Sequence, residues 1–103
     1  MTLNEFLAYL EKNLSNYDLF MIKAEEYQEG KNKKRPPAKR WNENKLNKAI
    51  VGMWRQSMEV GYNNIKSQIG KIQFDPYDRW VDFMNKNDIL ESINDSISEL
   101  EFE

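Results

Sequence analysis

The chain contains no cysteine and no histidine, and it has only four glycines and three prolines. The first two absences exclude disulfides, thiol nucleophiles, imidazole acid–base catalysis and zinc sites built on these side chains. No fully apolar run exceeds five residues, far fewer than the roughly 18 that a membrane span requires. The N-terminal residues also lack the basic start and apolar stretch of a signal peptide. The sequence therefore predicts a cytoplasmic protein without cofactor, metal or membrane contact.

Length and composition indicate one folded domain covering residues 1–103. Of its 103 residues, 40% are hydrophobic and 31% are charged, and the net charge is −2. This balance is typical of a globular chain, because disordered chains combine few apolar residues with a high net charge. We expect one modest core, with little chain left over for a deep catalytic cleft.

The first segment, residues 1–30, has the pattern of an acidic amphipathic helix. Thr2 and Glu5 have the spacing of a capping box, in which each side chain bonds the other residue's backbone N–H. Apolar residues then recur at alternating steps of four and three, which places them on one helix face. The pattern predicts a helix over 3–29 that ends at Gly30, with a break near Ser15 and Asn16 as the alternative.

The segment 42–70 predicts a second helix, which begins after Trp41 with Asn42 as its cap. Its apolar residues recur mostly at every fourth position. Gly61 suggests a kink or the close approach of another helix, because glycine weakens a helix interior. Gly70 is the expected end of this helix.

The last segment, 75–103, predicts two acidic helices at about 76–86 and 88–101, or a single merged one. Asp75 and Pro76 have the cap and first-turn chemistry of a helix start, after a short extended stretch that contains Ile72 and Phe74. Asp88 and Glu91 have the spacing of a second capping box. The overall expectation is an all-α fold, a small bundle of three to five helices with a proline-containing basic loop, 31–41, between the first and second.

Charge is distributed very unevenly along the chain. The net charge is −4 over residues 1–30, +9 over 31–74 and −7 over 75–103. Charge blocks of one sign are usually interaction surfaces or solvated tails. Opposite blocks in one chain also allow a homo-oligomer held by charge-matched helices, which would weaken with salt.

The basic middle segment predicts contact with nucleic acid or a nucleoprotein complex. Lysine and arginine on an extended arm can neutralise successive phosphates, and a neighbouring tryptophan can stack on a base. The candidate residues are Lys31, Lys33, Lys34, Arg35, Lys39, Arg40, Trp41, Lys45 and Lys48. The competing interpretation is a solvated loop whose bases neutralise the acids at the end of the first helix, where the helix dipole disfavours anions.

The acidic C-terminal helix suggests an alternative function. Its apolar seam can dock on the bundle and leave a row of carboxylates outside, at Glu91, Asp95, Glu99 and Glu101. Such a row can imitate nucleic acid and bind a partner protein. The protein would then be an inhibitor or adaptor of the kind encoded by phages and plasmids.

Enzymatic chemistry has little support in this sequence. The carboxylates with the best spacing for chemistry are Asp75, Asp78 and Asp82, which could hold Mg²⁺ or act as acid and base. Asp75 and Asp78 lie where helix caps and first-turn acids are expected. We therefore predict a non-enzymatic binding protein with no catalytic residues.

Overall fold

The computed structural model describes residues 1–69 and 77–102, and the chain in these ranges is almost entirely helical. The helices are α1 (Leu3–Asn13), α2 (Tyr17–Lys33), α3 (Glu43–Ile69), α4 (Tyr77–Lys86) and α5 (Ile89–Glu99), with a 3₁₀ turn at Pro37–Lys39. The described residues contain no strand, so the prediction of a small all-α bundle is confirmed. The expected features at Ile72, Phe74, Asp75, Pro76 and Gly70 lie outside the described residues.

The start of α1 forms as its sequence predicts. The backbone N–H of Glu5 donates to the Thr2 hydroxyl, and the Thr2 N–H donates to the Glu5 carboxylate. This carboxylate accepts a backbone hydrogen bond, which holds the pKa of Glu5 below its usual value. The alternative break is also confirmed, because Leu14 is extended and Asn16 is the N-cap of α2.

Two glycines expected to interrupt helices do not do so. Helix α2 continues through Gly30 to Lys33 and ends just before Pro36, whose ring disfavours helical backbone in the preceding residue. Helix α3 passes Gly61 without a break, and a Cβ added there would meet nothing within 4 Å. Neither a break nor a close helix approach is present at Gly61, so both of these expectations were wrong. The burial of neighbouring side chains such as Tyr62 offsets the weak propensity of glycine.

The predicted capping box at Asp88 is also wrong. Asp88 adopts a left-handed conformation with φ of 51°, and its side chain makes no cap hydrogen bond. A left-handed residue interrupts the helical backbone between α4 and α5, so the two helices are separate rather than merged.

The core lies where α1, α2, α3 and α4 meet, and aromatic side chains dominate it. The rings of Tyr62 and Trp80 lie 4.8 Å apart, and those of Phe20 and Trp54 lie 5.1 Å apart. Trp54 and Trp80 are buried, as their positions on the apolar seams predict. Rings at these separations and tilted angles add attraction beyond the burial of their area.

Polar contacts hold α5 against α2. The Lys23 ammonium donates to the carbonyl oxygens of Ile97, Ser98 and Leu100, at 2.8, 3.0 and 2.9 Å. These carbonyls lie at the C-terminal end of α5, where a cation complements the helix dipole. The Asn16 side chain and backbone also donate to Asn94. Helix α5 is thereby fixed along one side by residues distant in sequence.

The molecule is elongated, with dimensions of 51 × 26 × 20 Å. Its radius of gyration of 16.0 Å exceeds the roughly 13 Å typical of a 100-residue domain. The 27 residues of α3 account for this length, because a helix of that size spans about 40 Å. Among the described residues, no helix is both long and apolar enough to span a bilayer.

Candidate nucleic-acid interface

The end of the α2–α3 hairpin projects beyond the core and carries most of the positive charge. Residues 31–48, here called the basic tip, contain eight Lys or Arg residues and one acid, Glu43. Between Gln28 and Ile50, both buried, no side chain is buried. The tip combines the last turn of α2, the 3₁₀ turn and the first turns of α3. The predicted loop 31–41 is therefore shorter than expected, since Lys31 and Lys33 are helical.

An asparagine closes the loop of the basic tip. The Asn32 Oδ1 accepts the backbone N–H of Trp41 at 2.8 Å, and its Nδ2 donates to the Trp41 carbonyl at 3.1 Å. The same Oδ1 accepts a hydrogen bond from the Arg35 guanidinium at 3.0 Å. One side chain thus joins the end of α2 to the start of α3, in place of the burial that the tip lacks.

Trp41 holds two cations against its ring rather than standing open. The Arg35 guanidinium carbon lies 3.8 Å from the ring centroid and the Lys45 Nζ lies 4.6 Å from it. Both distances are within the range of a cation–π interaction. A base that stacks on this ring has to share it with Arg35, or displace the guanidinium. The geometry favours Trp41 as a support for its neighbouring cations.

Arg40 closes the C-terminal end of α2. Its Nε donates to the Arg35 carbonyl and its Nη2 to the Lys33 carbonyl, both at 3.3 Å. Carbonyls at a helix end lack partners within the helix, and arginine is a favourable donor there. Arg40 therefore fixes the shape of the tip and also adds to its charge.

The remaining cations of the tip are exposed lysines. Lys31 lies 5.3 Å from the Tyr27 ring, where its charge stays at the surface. The other four are Lys33, Lys34, Lys39 and Lys48, all exposed. The contacts of the tip's cations are with aromatic rings, an amide oxygen and backbone carbonyls. Within the described part of the chain, none of these contacts is to a carboxylate.

The candidate site divides into two groups that the sequence did not distinguish. Arg35, Arg40 and Trp41 shape the tip and Lys45 rests on the Trp41 ring, whereas the other five lysines are exposed at its surface. Asn32, which organises the first group, was not among the predicted residues. Neighbouring residues do not predict the role of Asn32, because asparagine near a helix end can make several kinds of local hydrogen bond. Only the position of Trp41, nine residues later, makes Asn32 a clip.

The acidic residues of α5, and Glu101 just after it, lie on a separate surface. Glu91, Asp95, Glu99 and Glu101 are all exposed, and Ile97 of the apolar seam is buried. The seam therefore docks on the bundle as expected. That these carboxylates bind a partner protein stays a prediction.

The carboxylates of α4 form no recognisable metal site. Asp78 and Asp82 are exposed, and Asp78 lies in the first turn of α4, where an acid complements the helix dipole. In residues 1–69 and 77–102, no three acidic side chains are grouped in a way that could hold a metal ion.

Comparison of the chain with protein-family models, curated proteins and solved structures finds no match to any of them. The geometry of the described residues characterises this protein as a small all-α bundle with a cationic hairpin end.

Proposed function

We propose that this protein binds nucleic acid without catalysis, through contacts between its basic tip and the phosphate backbone. The proposal is carried by one observation, the projection of eight Lys or Arg residues beyond the core with a single acid among them. Such a surface releases counterions from a nucleic acid when it docks, which supplies affinity that does not depend on base sequence.

In this mechanism the exposed lysines contact phosphates, and the residues that hold the loop together position these lysines. Asn32, Trp41 and Arg40 hold the loop in one shape before any ligand arrives. A preformed loop loses less conformational entropy on binding than a flexible arm does. The tip therefore binds as a rigid, cationic hairpin end.

The width of the hairpin favours backbone contacts over reading of base edges. Two packed helices have axes about 8–10 Å apart and diameters of about 10 Å each, giving a tip about 20 Å wide. The major groove of duplex DNA is only about 12 Å wide. A hairpin end of this size lies across the phosphates, so we expect weak dependence on base sequence.

The competing interpretation, that the bases neutralise the protein's own acids, makes a different prediction. In that case the lysines would be engaged by the carboxylates of α2, and binding to a polyanion would be weak even at low salt. The contacts of Lys31, Arg35 and Arg40 with a ring, an amide and carbonyls support the nucleic-acid proposal instead.

The test is fluorescence anisotropy with labelled single-stranded DNA, duplex DNA and RNA at several salt concentrations. The test variant is K33Q/K34Q/K39Q. If all three lysines contact phosphates of duplex DNA, the slope of log affinity against log salt should fall by about three. Changes of base sequence at constant length should alter affinity much less than these substitutions do.

A matched control separates local contacts from net charge. K12Q/K66Q/K86Q removes the same charge from exposed lysines on α1, α3 and α4. It should leave the salt slope nearly unchanged. Equal losses for the two triple variants, or no binding at low salt by the unmodified protein, would overturn the proposal.

A further inference from the structure

An apolar groove lies at the other end of α3, between its C-terminal half and α5. The groove encloses about 520 Å³ and is open along one side. Its floor is formed by Phe20, Met58, Ile65, Ile93 and Ile97. All of these except Ile93 are buried, so the floor belongs to the core of the bundle. The groove is thus a concave continuation of the core at the surface.

Helix α5, which forms one wall of this groove, is held in place by contacts on its other side. Helix α5 is held by α2, through Lys23 at its C-terminal carbonyls and through Asn16 at Asn94. These contacts hold α5 against α2, and the groove between α5 and α3 is present without a ligand. A preformed groove of this kind binds a ligand without first opening.

The chemistry of the groove is uncharged inside and acidic along one edge. Its lining contains only apolar, hydroxyl, amide and glycine residues. Ser92 and Ser96 line it on the α5 side, and Asp95 and Glu99 follow them by three positions. Residues three apart are neighbours on a helix surface, so these exposed carboxylates border the α5 edge.

The opposite edge, on α3, is uncharged and carries an exposed apolar side chain. Val60 is 64% exposed and follows the groove-lining Ser57 by three positions. It therefore extends the apolar surface of the groove outward on this side. The two edges together are complementary to a ligand that has an apolar stripe and positive charge along one border.

An amphipathic helix has this distribution of side chains. Apolar residues at i, i+3, i+4 and i+7 fill a groove, and lysine or arginine beside the stripe meets the acidic edge. The 11 residues of α5 give the groove a length of about 16 Å, which matches three helical turns. An anionic lipid or fatty acid fits less well, because Asp95 and Glu99 repel its head group.

We propose that the groove between α3 and α5 docks one basic amphipathic helix of a partner protein. The apolar face of that helix rests on Phe20, Ile65 and Ile97, and its lysines or arginines face Asp95 and Glu99. This surface is separate from the basic tip, so partner docking and nucleic-acid binding are independent activities of the two ends.

The test uses two labelled 14-residue peptides designed to be helical. Both carry Leu at i, i+3, i+4, i+7 and i+11, and one has Lys where the other has Glu along the same border. Anisotropy at low salt should show saturable binding of the Lys peptide and at least about tenfold weaker binding of the Glu peptide. Amide shifts in NMR spectra should concentrate on α5 and the second half of α3.

Two variants of the protein locate the binding. S96F places a ring in the groove at an exposed position and should abolish binding of the Lys peptide. D95N/E99Q should weaken it by about tenfold, whereas D78N/D82N, which removes equal charge from exposed sites on α4, should not. K33Q/K34Q/K39Q should leave peptide binding intact.

Several outcomes would overturn this inference. Equal binding of the Lys and Glu peptides would refute the role of the acidic edge. Absence of saturable binding, or binding unaffected by S96F, would refute the groove as the docking site. If sedimentation shows a dimer that S96F dissociates, the occupant is a second copy of this chain and the assignment to a partner protein is wrong.

Discussion

The two ends of α3 are stabilised in opposite ways. Near its N-terminus, the basic tip has no buried side chain between residues 29 and 49, and amide, guanidinium and ring contacts hold its shape. Toward its C-terminus, Met58, Tyr62 and Ile65 are buried in the core that floors the groove. Charge at the surface and apolar burial are therefore separated along a single helix.

This difference affects how each end responds to substitution. Apolar burial contributes the largest single terms to stability, whereas exposed polar contacts contribute small ones. The tip can therefore lose contacts without unfolding the bundle. The free energy needed to open it locally should be lower than the free energy of global unfolding. The predictions below are ordered from the largest expected effect to the smallest.

Loss of a core tryptophan should cost much more than loss of the tip tryptophan. Trp80 is 0% exposed, so W80A should reduce the free energy of unfolding by about 3–5 kcal/mol. W41A removes a half-buried ring that supports Arg35 and Lys45, and should cost about 1 kcal/mol. Urea denaturation followed by circular dichroism measures both. Equal losses would show that the tip belongs to the same cooperative core.

Removal of the lysine that closes α5 should have the next largest effect. K23M deletes three hydrogen bonds from a charged donor and leaves carbonyls at the end of α5 without that partner. We expect a loss of about 2 kcal/mol in the free energy of unfolding, and weaker binding of the Lys peptide in the groove. K12M, at an exposed lysine of α1, is the control and should change stability by less than about 0.5 kcal/mol.

Removal of the Asn32 side chain, which joins the two sides of the tip loop, should loosen the tip and leave the core unchanged. N32A deletes both hydrogen bonds to Trp41, at a cost of about 1–2 kcal/mol. The backbone N–H of Trp41 should then exchange with solvent faster, while amides of the core keep their protection. N44A, at an exposed asparagine in the first turn of α3, should leave this exchange rate unchanged. Unchanged exchange in N32A would mean that the clip does not order the tip.

Alanine substitution of two glycines compares the two halves of α3 through the stability that each substitution adds. A Cβ at Gly52 or Gly61 meets nothing within 4 Å, so G52A and G61A should each stabilise the helix by about 0.5–1 kcal/mol. Gly61 also lines the groove, whereas Gly52 does not. Thermal unfolding should show similar gains, and only G61A should alter peptide binding. Destabilisation by either substitution would contradict the open space around these positions.

The pH dependence of the α1 cap should be the smallest effect. Hydrogen bonds from Thr2 lower the pKa of Glu5 in the folded chain from its usual value of 4.5. A lowered folded pKa gives stabilisation that is complete above the unfolded pKa and is lost as pH falls through the folded value. Stability of the unmodified protein should thus decline slightly more below pH 4.5 than that of E5Q. Identical pH profiles would show that the cap contributes nothing measurable.

Much of the fold is predictable because it depends on neighbours in sequence. The capping box at Thr2, the start of α3 after Asn42 and the burial of Trp54 follow from local patterns, and all three are present. The errors at Gly30 and Gly61 have different causes, since α2 runs past the exposed Gly30 until Pro36 ends it, whereas Gly61 has buried neighbours such as Tyr62. At Gly61, glycine lowers helix propensity by about 1 kcal/mol, and packing of the surrounding side chains exceeds a penalty of that size.

The candidate site was only partly predictable for a similar reason. The positive charge of residues 31–48 is a property of composition, so the sequence locates the basic tip. Its division into positioning and exposed residues depends on distances between side chains. Asn32 reaches Trp41 and Arg40 reaches Lys33 only because two prolines end α2 and turn the chain back.

The sequence by itself determined the helical class, the starts of α1 and α3, the core aromatics and the segregation of charge. Periodicity, caps and composition are read within a few residues. The tertiary structure alone decided where α5 lies and what it leaves open. Lys23 and Asn16 meet their α5 partners across 74 to 78 residues of chain. No local pattern encodes such contacts, since they exist only after the helices have packed.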